Sequence, residues 1–249
     1  CTQALHWKTK EGLVRGCSCR GTAGCVHVSC LAEQAKILVA EAEENNLFGT
    51  HRFDERWERW YSCSLCEQRY HGEAVNALGW ACWKTYLGRP ETNKVRGMAM
   101  NVLGNGLFDA KHYEDAASVQ EAELSMMQRV GTSEQGLLAT YSNLAGTYQV
   151  VGRAEEANRV LQDVYSGRLK LHGEEHGETL RAANNYALSL ITLKHFEEAR
   201  SLLRKMIPVA RGVLGEANDL TLKLRRAYAI ALYEDTTATL GDLREAVST

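Results

Sequence analysis

The stretch GCSCRGTAGCVHVSC, residues 16–30, sets four cysteines and a histidine in fifteen positions. Thiolates and imidazoles gathered this densely are the ligand types that hold zinc. The chain has eight cysteines, Cys1, Cys17, Cys19, Cys25, Cys30, Cys63, Cys66 and Cys82, and none lies beyond position 82. The spacing runs Cys17-x-Cys19-x7-His27-x2-Cys30, then 32 residues, then Cys63-x2-Cys66. A structural zinc takes four such ligands in a closed tetrahedron, and a C-x2-C pair supplies two from one turn of backbone. Six ligands overfill one site and leave a second two short, which makes Cys1 the upstream candidate.

Two other chemistries compete for these residues. A disulfide framework normally belongs to small secreted domains, whereas two thirds of this chain is free of cysteine; Cys17 and Cys19 also stand too close to bridge comfortably. A catalytic thiolate needs one activated sulfur with an imidazole in reach, and regularly paired cysteines fit that poorly. A zinc hydrolase would need an open coordination position and a general base, and the recognisable ligands are all used. No catalytic residue is therefore assigned. His27 stands between ligand-spaced cysteines, while His51 and His71 lack such partners and are expected at the surface. Cys25 and Cys82 are expected to be small buried hydrophobes. Zinc binding is worth on the order of 10–16 kcal/mol, enough to fold a segment with little core.

The elements that must carry these residues are helical. Two prolines in 249 residues, with 45% hydrophobic and 24% charged residues, favour long uninterrupted helices in a globular chain. A net charge of -2 with mixed signs gives no field for nucleic acid and no polybasic signal for anionic lipid. No apolar run is long enough to span a bilayer, and an intracellular, cytoplasmic protein is expected. The chain starts at Cys1 and stops at Thr249 within a helical pattern, so both ends are expected to be incomplete.

The run C-x-C-x7-H-x2-C-L followed by C-x2-C resembles the RING-CH (RING-variant) zinc finger over residues 1–72. Arg20-Gly21-Thr22, Leu31 and Tyr70 add to the likeness. The resemblance implies a cross-brace in which Cys17, Cys19, Cys63 and Cys66 hold one zinc. Cys1, His27 and Cys30 would hold the other, with a further cysteine three positions upstream of Cys1. The chain departs from the pattern at Gln34, where the family commonly has Trp, and at Glu67, where active ligases often have a basic residue. The gap between Cys30 and Cys63 is also longer than usual. Its Trp57 and Trp60 are expected to pack helices, and the acidic run Glu41–Glu44 to be a solvated face.

Beyond residue 100 the chain repeats itself. SNLAGTYQVVGRAEEA (142–157) aligns with NNYALSLITLKHFEEA (184–199) at an offset of 42, and Gly131, Gly173 and Gly215 fall in step, as glycines at helix ends do. Each unit reads as two helices: Leu144, Tyr148 and Val151 face the core from the first, and Val160, Leu161 and Val164 from the second. A poorer unit spans 99–131, and another first helix lies near 219–234. This pattern resembles the tetratricopeptide repeat in the form found in kinesin light chains, including Gly173-Glu174-Glu175-His176 as the inter-repeat loop. The resemblance implies a right-handed α-superhelix whose groove binds extended peptides, with Asn143 and Asn185 holding the peptide backbone; Asn184 is expected to pack structurally.

The whole chain thus reads as mostly α: a zinc finger over 1–72, a connecting helix and linker over 73–98 with the domain boundary at the turn Arg89–Asn93, and a repeat region over 99–249. Its two functional readings are an adaptor-type ubiquitin ligase, whose finger docks a ubiquitin-conjugating enzyme while the repeats recruit substrate, and a non-catalytic scaffold that binds partner proteins.

Overall fold

A computed structural model describes residues 3–235, 238–242 and 244. The chain divides into two compact units, Cys1–Gly131 and Thr132–Thr249.

The first unit opens with small antiparallel pieces. Residues 5 and 12 bridge, β1 (Val14–Arg15) pairs with β2 (Cys25–Val26), and Ser62 bridges Arg69. Between them stand α1 (Val28–Glu44) and α2 (His51–Trp57), the latter capped by the Thr50 hydroxyl and followed by a 3-10 turn to Trp60. The unit ends with α3 (Glu73–Tyr86), α4 (Lys94–Asp109) and α5 (Tyr113–Arg129). The apolar spacing of α3 does what its sequence requires: Val75, Leu78, Cys82 and Tyr86 are all buried. The turn Arg89–Asn93 joins α3 to α4 inside this unit, and Asn93 caps α4 through its side chain.

Trp57 and Trp60 are buried in an aromatic cluster with Phe53 and Tyr86, against Val95, Ala99 and Val102 of α4. Helix packing accounts for both indoles. The acidic run on α1 is divided in role: Glu41 and Glu44 are exposed, but Glu43 receives a two-pronged bond from the Arg89 guanidinium (2.5 and 2.8 Å), which also lies over Tyr86. Helices α3 and α4 approach closely because glycines line their contact. A Cβ on Gly106 would stand 2.9 Å from the Val75 carbonyl oxygen, and one on Gly79 3.3 Å from the Leu103 Cα.

The second unit is a run of antiparallel helices: α6 (Glu134–Val150), α7 (Ala154–His172), α8 (Gly177–Thr192), α9 (Phe196–Leu214) and α10 (Asp219–Tyr233). Each packs on the next, and α8 also touches α10. The core is built from Leu180, Ala187, Leu190, Leu203, Met206, Leu224 and Tyr228, with a smaller cluster at Leu138, Val164 and Ala182. Leu144, Tyr148, Leu161 and Val164 are buried as their helical spacing requires, while Val151 and Val160 are half-buried.

The repeat shows in the backbone. Gly131, Gly173 and Gly215 all have positive φ (70°, 81° and 91°), which side chains other than hydrogen adopt only under strain. The Thr179 hydroxyl donates to the Arg168 carbonyl (3.2 Å) and the Thr221 hydroxyl to that of Ala210 (3.4 Å), the same bond one repeat later.

Candidate functional site

The finger's geometry starts from two short loops. The first follows β1, and its shape is fixed by Arg15, whose guanidinium donates to the carbonyls of Cys19 and Gly21, both at 2.8 Å. The second is closed by the amide of Cys63 donating to Gln68 O (2.9 Å) and that of Glu67 to Cys63 O (3.0 Å), with Glu67 itself at φ +56°. The loops are tied together by the His71 amide donating to Gly16 O at 2.9 Å.

This arrangement brings the sulfurs of Cys17, Cys19, Cys63 and Cys66 within 4.8 Å of one another. Two of them, on Cys19 and Cys63, are 3.8 Å apart. A tetrahedron of sulfurs at the usual zinc–sulfur distance has an edge of about 3.8 Å, so the donor set fits zinc in identity and the Cys19–Cys63 separation fits it in size. A disulfide would need about 2.05 Å, and Cys17, Cys19, Cys25, Cys30, Cys63, Cys66 and Cys82 are all free. The thiols interact as a group. Hydrogen bonding with Cys17 pushes the Cys19 thiol up to about 12, while the Gln68 amide lowers Cys66 to about 7; burial raises Cys17. A cation bound among such sulfurs takes the place of their protons and neutralises the thiolates. The Leu65 amide, 3.4 Å from Cys63 Sγ, adds a donor to that sulfur.

His27 and Cys30 form a separate pair. His27 sits at the N-cap of α1 and Cys30 in its first turn, so the three-residue spacing puts both on one face. His27 Nδ1 and Cys30 Sγ are 3.8 Å apart. An imidazole nitrogen and a thiolate on one tetrahedral zinc would be about 3.6 Å apart. His27 is 3% exposed and its Nε2 is buried without a partner, an orphaned state that costs free energy in a packed site. The ring of His6 meets that of His27 edge-on at 5.3 Å, and Glu11 accepts from the Ser29 amide (2.8 Å) in the same first turn. Cys1 lies outside the described residues.

The remaining cysteines and histidines stand apart from these groups. Cys82 is fully buried on α3 and its thiol is raised by burial; Cys25 is half-buried in β2. His51 and His71 are exposed. Sequence reasoning missed His6 and Glu11, whose approach to the His27 side follows from the 5–12 hairpin, and Arg15, which carries no metal-ligand signature.

In the second unit, Asn143 is exposed on α6 and Asn185 half-buried on α8. Asn184 is buried; its Nδ2 donates to Asn185 Oδ1 at 3.5 Å and its own Oδ1 has no partner. One turn beyond Asn185 on the same face, Leu188 lines a cavity of about 490 Å³ with Ile191, Phe196 and Ile230, edged by Lys194 and Glu234. Leu188 and Ile230 occupy corresponding positions of successive first helices.

Known proteins resemble the chain chiefly through its helices. Residues 136–212 match the tetratricopeptide repeat family. A kinesin-light-chain-related protein of Arabidopsis thaliana is 32% identical over 83 residues, 33% of this chain and 12% of that protein's length. The crystal structure of nearly identical TPR-like repeats described as a kinesin light chain of Podosopora anserina superposes with a TM-score of 0.62 at 18% identity, covering 89% of this chain and 92% of that one. BtubC (BKLC) from P. vanneervenii gives 0.54 at 16% identity, covering 90% and 72%. Among the described residues, no helix is long and apolar enough to cross a membrane. The chain is mostly helical, residues 136–212 match the tetratricopeptide repeat, and its fold is similar to that of kinesin-light-chain repeats.

Proposed function

We propose that this chain is a zinc-braced protein-interaction protein. Its finger is held by one zinc on Cys17, Cys19, Cys63 and Cys66 and a second on His27, Cys30 and Cys1, and its repeats hold an extended segment of a partner. The observation that carries the metal reading is the convergence of four sulfurs, from loops some 44 residues apart in sequence, to within 4.8 Å of one another. Bound there, zinc supplies cross-linking and charge neutralisation. Asn143 and Asn185 suit the groove because an amide both donates to and accepts from a peptide backbone, and the cavity one turn along from Asn185, lined by Leu188, Ile191, Phe196 and Ile230 and by charged Lys194 and Glu234, would take a side chain of that peptide.

Native mass spectrometry tests the metal: one tightly held zinc is expected on this chain, two when it is extended upstream, and none at the four-cysteine site after Cys63→Ser with Cys66→Ser. No zinc in either form would refute the finger. For the groove, a binder selected from a displayed peptide library should lose about tenfold in affinity (about 1.4 kcal/mol) in Asn185→Ala with unfolding unchanged; equal binding would remove the asparagine from that role.

A second reading, the adaptor-type ubiquitin ligase, is favoured by one feature. The second and fourth ligand pairs, Cys17/Cys19 and Cys63/Cys66, converge while His27 and Cys30 of the third pair stay separate, the alternation of a RING-CH cross-brace. Such a ligase has no nucleophile of its own and acts by proximity. Self-ubiquitination across a panel of conjugating enzymes, abolished by Cys63→Ser, would establish it; silence across the panel with zinc bound leaves the scaffold.

A further inference from the structure

Two hydrophobic clusters of the first unit share the same pair of helices at opposite ends. The amino-terminal half of α3 belongs to the metal side: Ala74, Val75 and Leu78 pack with Cys17, Cys63 and Tyr70. Its carboxyl-terminal half belongs to the aromatic side, through Cys82 and Tyr86. Helix α4 runs back along α3, so its start (Val95, Ala99, Val102) lies in the aromatic cluster and its end, at Ala110, reaches the metal cluster. Contact on the metal side is tight. A Cβ on Gly16, the residue before Cys17, would collide with that of Ala74, and Gly106 leaves no room before the Val75 carbonyl. Asp109, at the end of α4, is partly buried, which raises its carboxyl, and the finger's Arg69 guanidinium opposes that rise.

We infer that occupancy of the four-cysteine site controls the packing of one end of the α3–α4 pair, so that the helices are clamped by metal at the α3 start and α4 end and by aromatic rings at the α3–α4 turn. This rests on the metal reading above. Without the ion, four thiols no longer hold the two finger loops together, and Cys17 and Cys63 lose their fixed places against Val75 and Leu78. The aromatic end has its own fixation in Phe53, Trp57, Trp60 and the Arg89–Glu43 bond. Metal loss then opens the pair about that end and loosens the approach to the α4–α5 turn. The finger would make the first helices of the chain sensitive to metal, beyond any role in partner docking.

Hydrogen exchange on the whole chain, zinc-loaded and after chelation, is the test. Amides 77–80 of α3 and 104–110 of α4 should exchange at least about tenfold faster without metal, while amides 83–86, 98–101 and those of unit 2 keep their protection. Exchange unchanged at both ends, or accelerated equally at both, would overturn the clamp. Gly16→Ala separates the two claims, since it leaves all four cysteines in place. It should retain zinc by native mass and yet show the same one-ended loss. Retained zinc with unchanged exchange would overturn the coupling alone, and failure of the wild-type chain to bind zinc would overturn the metal reading and the clamp with it.

Discussion

Cys82 and Cys25 differ from the metal-spaced cysteines in what a single oxygen would do in place of sulfur. At Cys82, in the core of α3, a hydroxyl would be buried in the apolar cluster of Phe53, Tyr86 and Val95. Cys82→Ser is expected to cost about 1–3 kcal/mol in urea unfolding, with zinc content unchanged. Cys25→Ser, half-buried in β2, should leave both nearly untouched. By contrast, Cys63→Ser removes one corner of the tetrahedron, and zinc content should fall with it. Much of this was legible in the sequence: the x, x2 and x7 spacings pick out Cys17, Cys19, His27, Cys30, Cys63 and Cys66, and the structure brings four of them together and pairs the other two. Hidden from it were the residues that shape the loops. Arg15 holds its loop by donating to backbone carbonyls, a role that leaves no spacing to read, and Glu67 takes a left-handed turn that glycine would fill more easily.

At the scale of the element, several helix ends share one construction, the end of α1 among them, where the Leu47 amide donates to Ala42 O (2.9 Å) after Asn46 at φ +55°. The amide of His112 donates to Leu107 O (2.9 Å), that of Arg153 to Tyr148 O (2.8 Å) and that of His195 to Leu190 O (2.8 Å), each spanning five residues after a residue of positive φ. These are Schellman ends. The left-handed residue is Gly152 in one of these but Lys111 and Lys194 in two others. A side chain in that conformation costs about 1–2 kcal/mol, partly offset by the greater chain entropy of glycine. Lys194→Gly should therefore stabilise the second unit by up to about 1 kcal/mol, and Gly152→Ala should destabilise it by a similar amount, both read by urea midpoint at constant slope. In the first unit Gly106→Ala would drive a methyl into the Val75 carbonyl and should cost about 1–3 kcal/mol. The repeat period and the glycines at 131, 173 and 215 announced most of these elements. The lysine turns did not announce themselves, because lysine carries no turn signal of its own.

Over the whole molecule, the helical class and the two-helix repeat follow from proline scarcity and the 42-residue offset, since both are properties of the backbone written directly into composition and period. The chain divides into its compact units between Gly131 and Thr132, a division composition did not mark. The reason lies in the long stretch between Cys30 and Cys63, whose Phe53, Trp57 and Trp60 fuse the finger to α3 and α4 through Tyr86, Val95 and Ala99; aromatic residues in an insert declare burial but not their partner. That cluster also gives the chain a built-in optical label. All five tryptophans, Trp7, Trp57, Trp60, Trp80 and Trp83, precede residue 84, and Thr132–Thr249 contains none. Indole emission therefore watches one unit while far-ultraviolet dichroism weighs the helices of both. Because Trp57 and Trp60 are buried at the aromatic end, their emission should stay blue when zinc is withdrawn and turn red only when that end, too, comes apart.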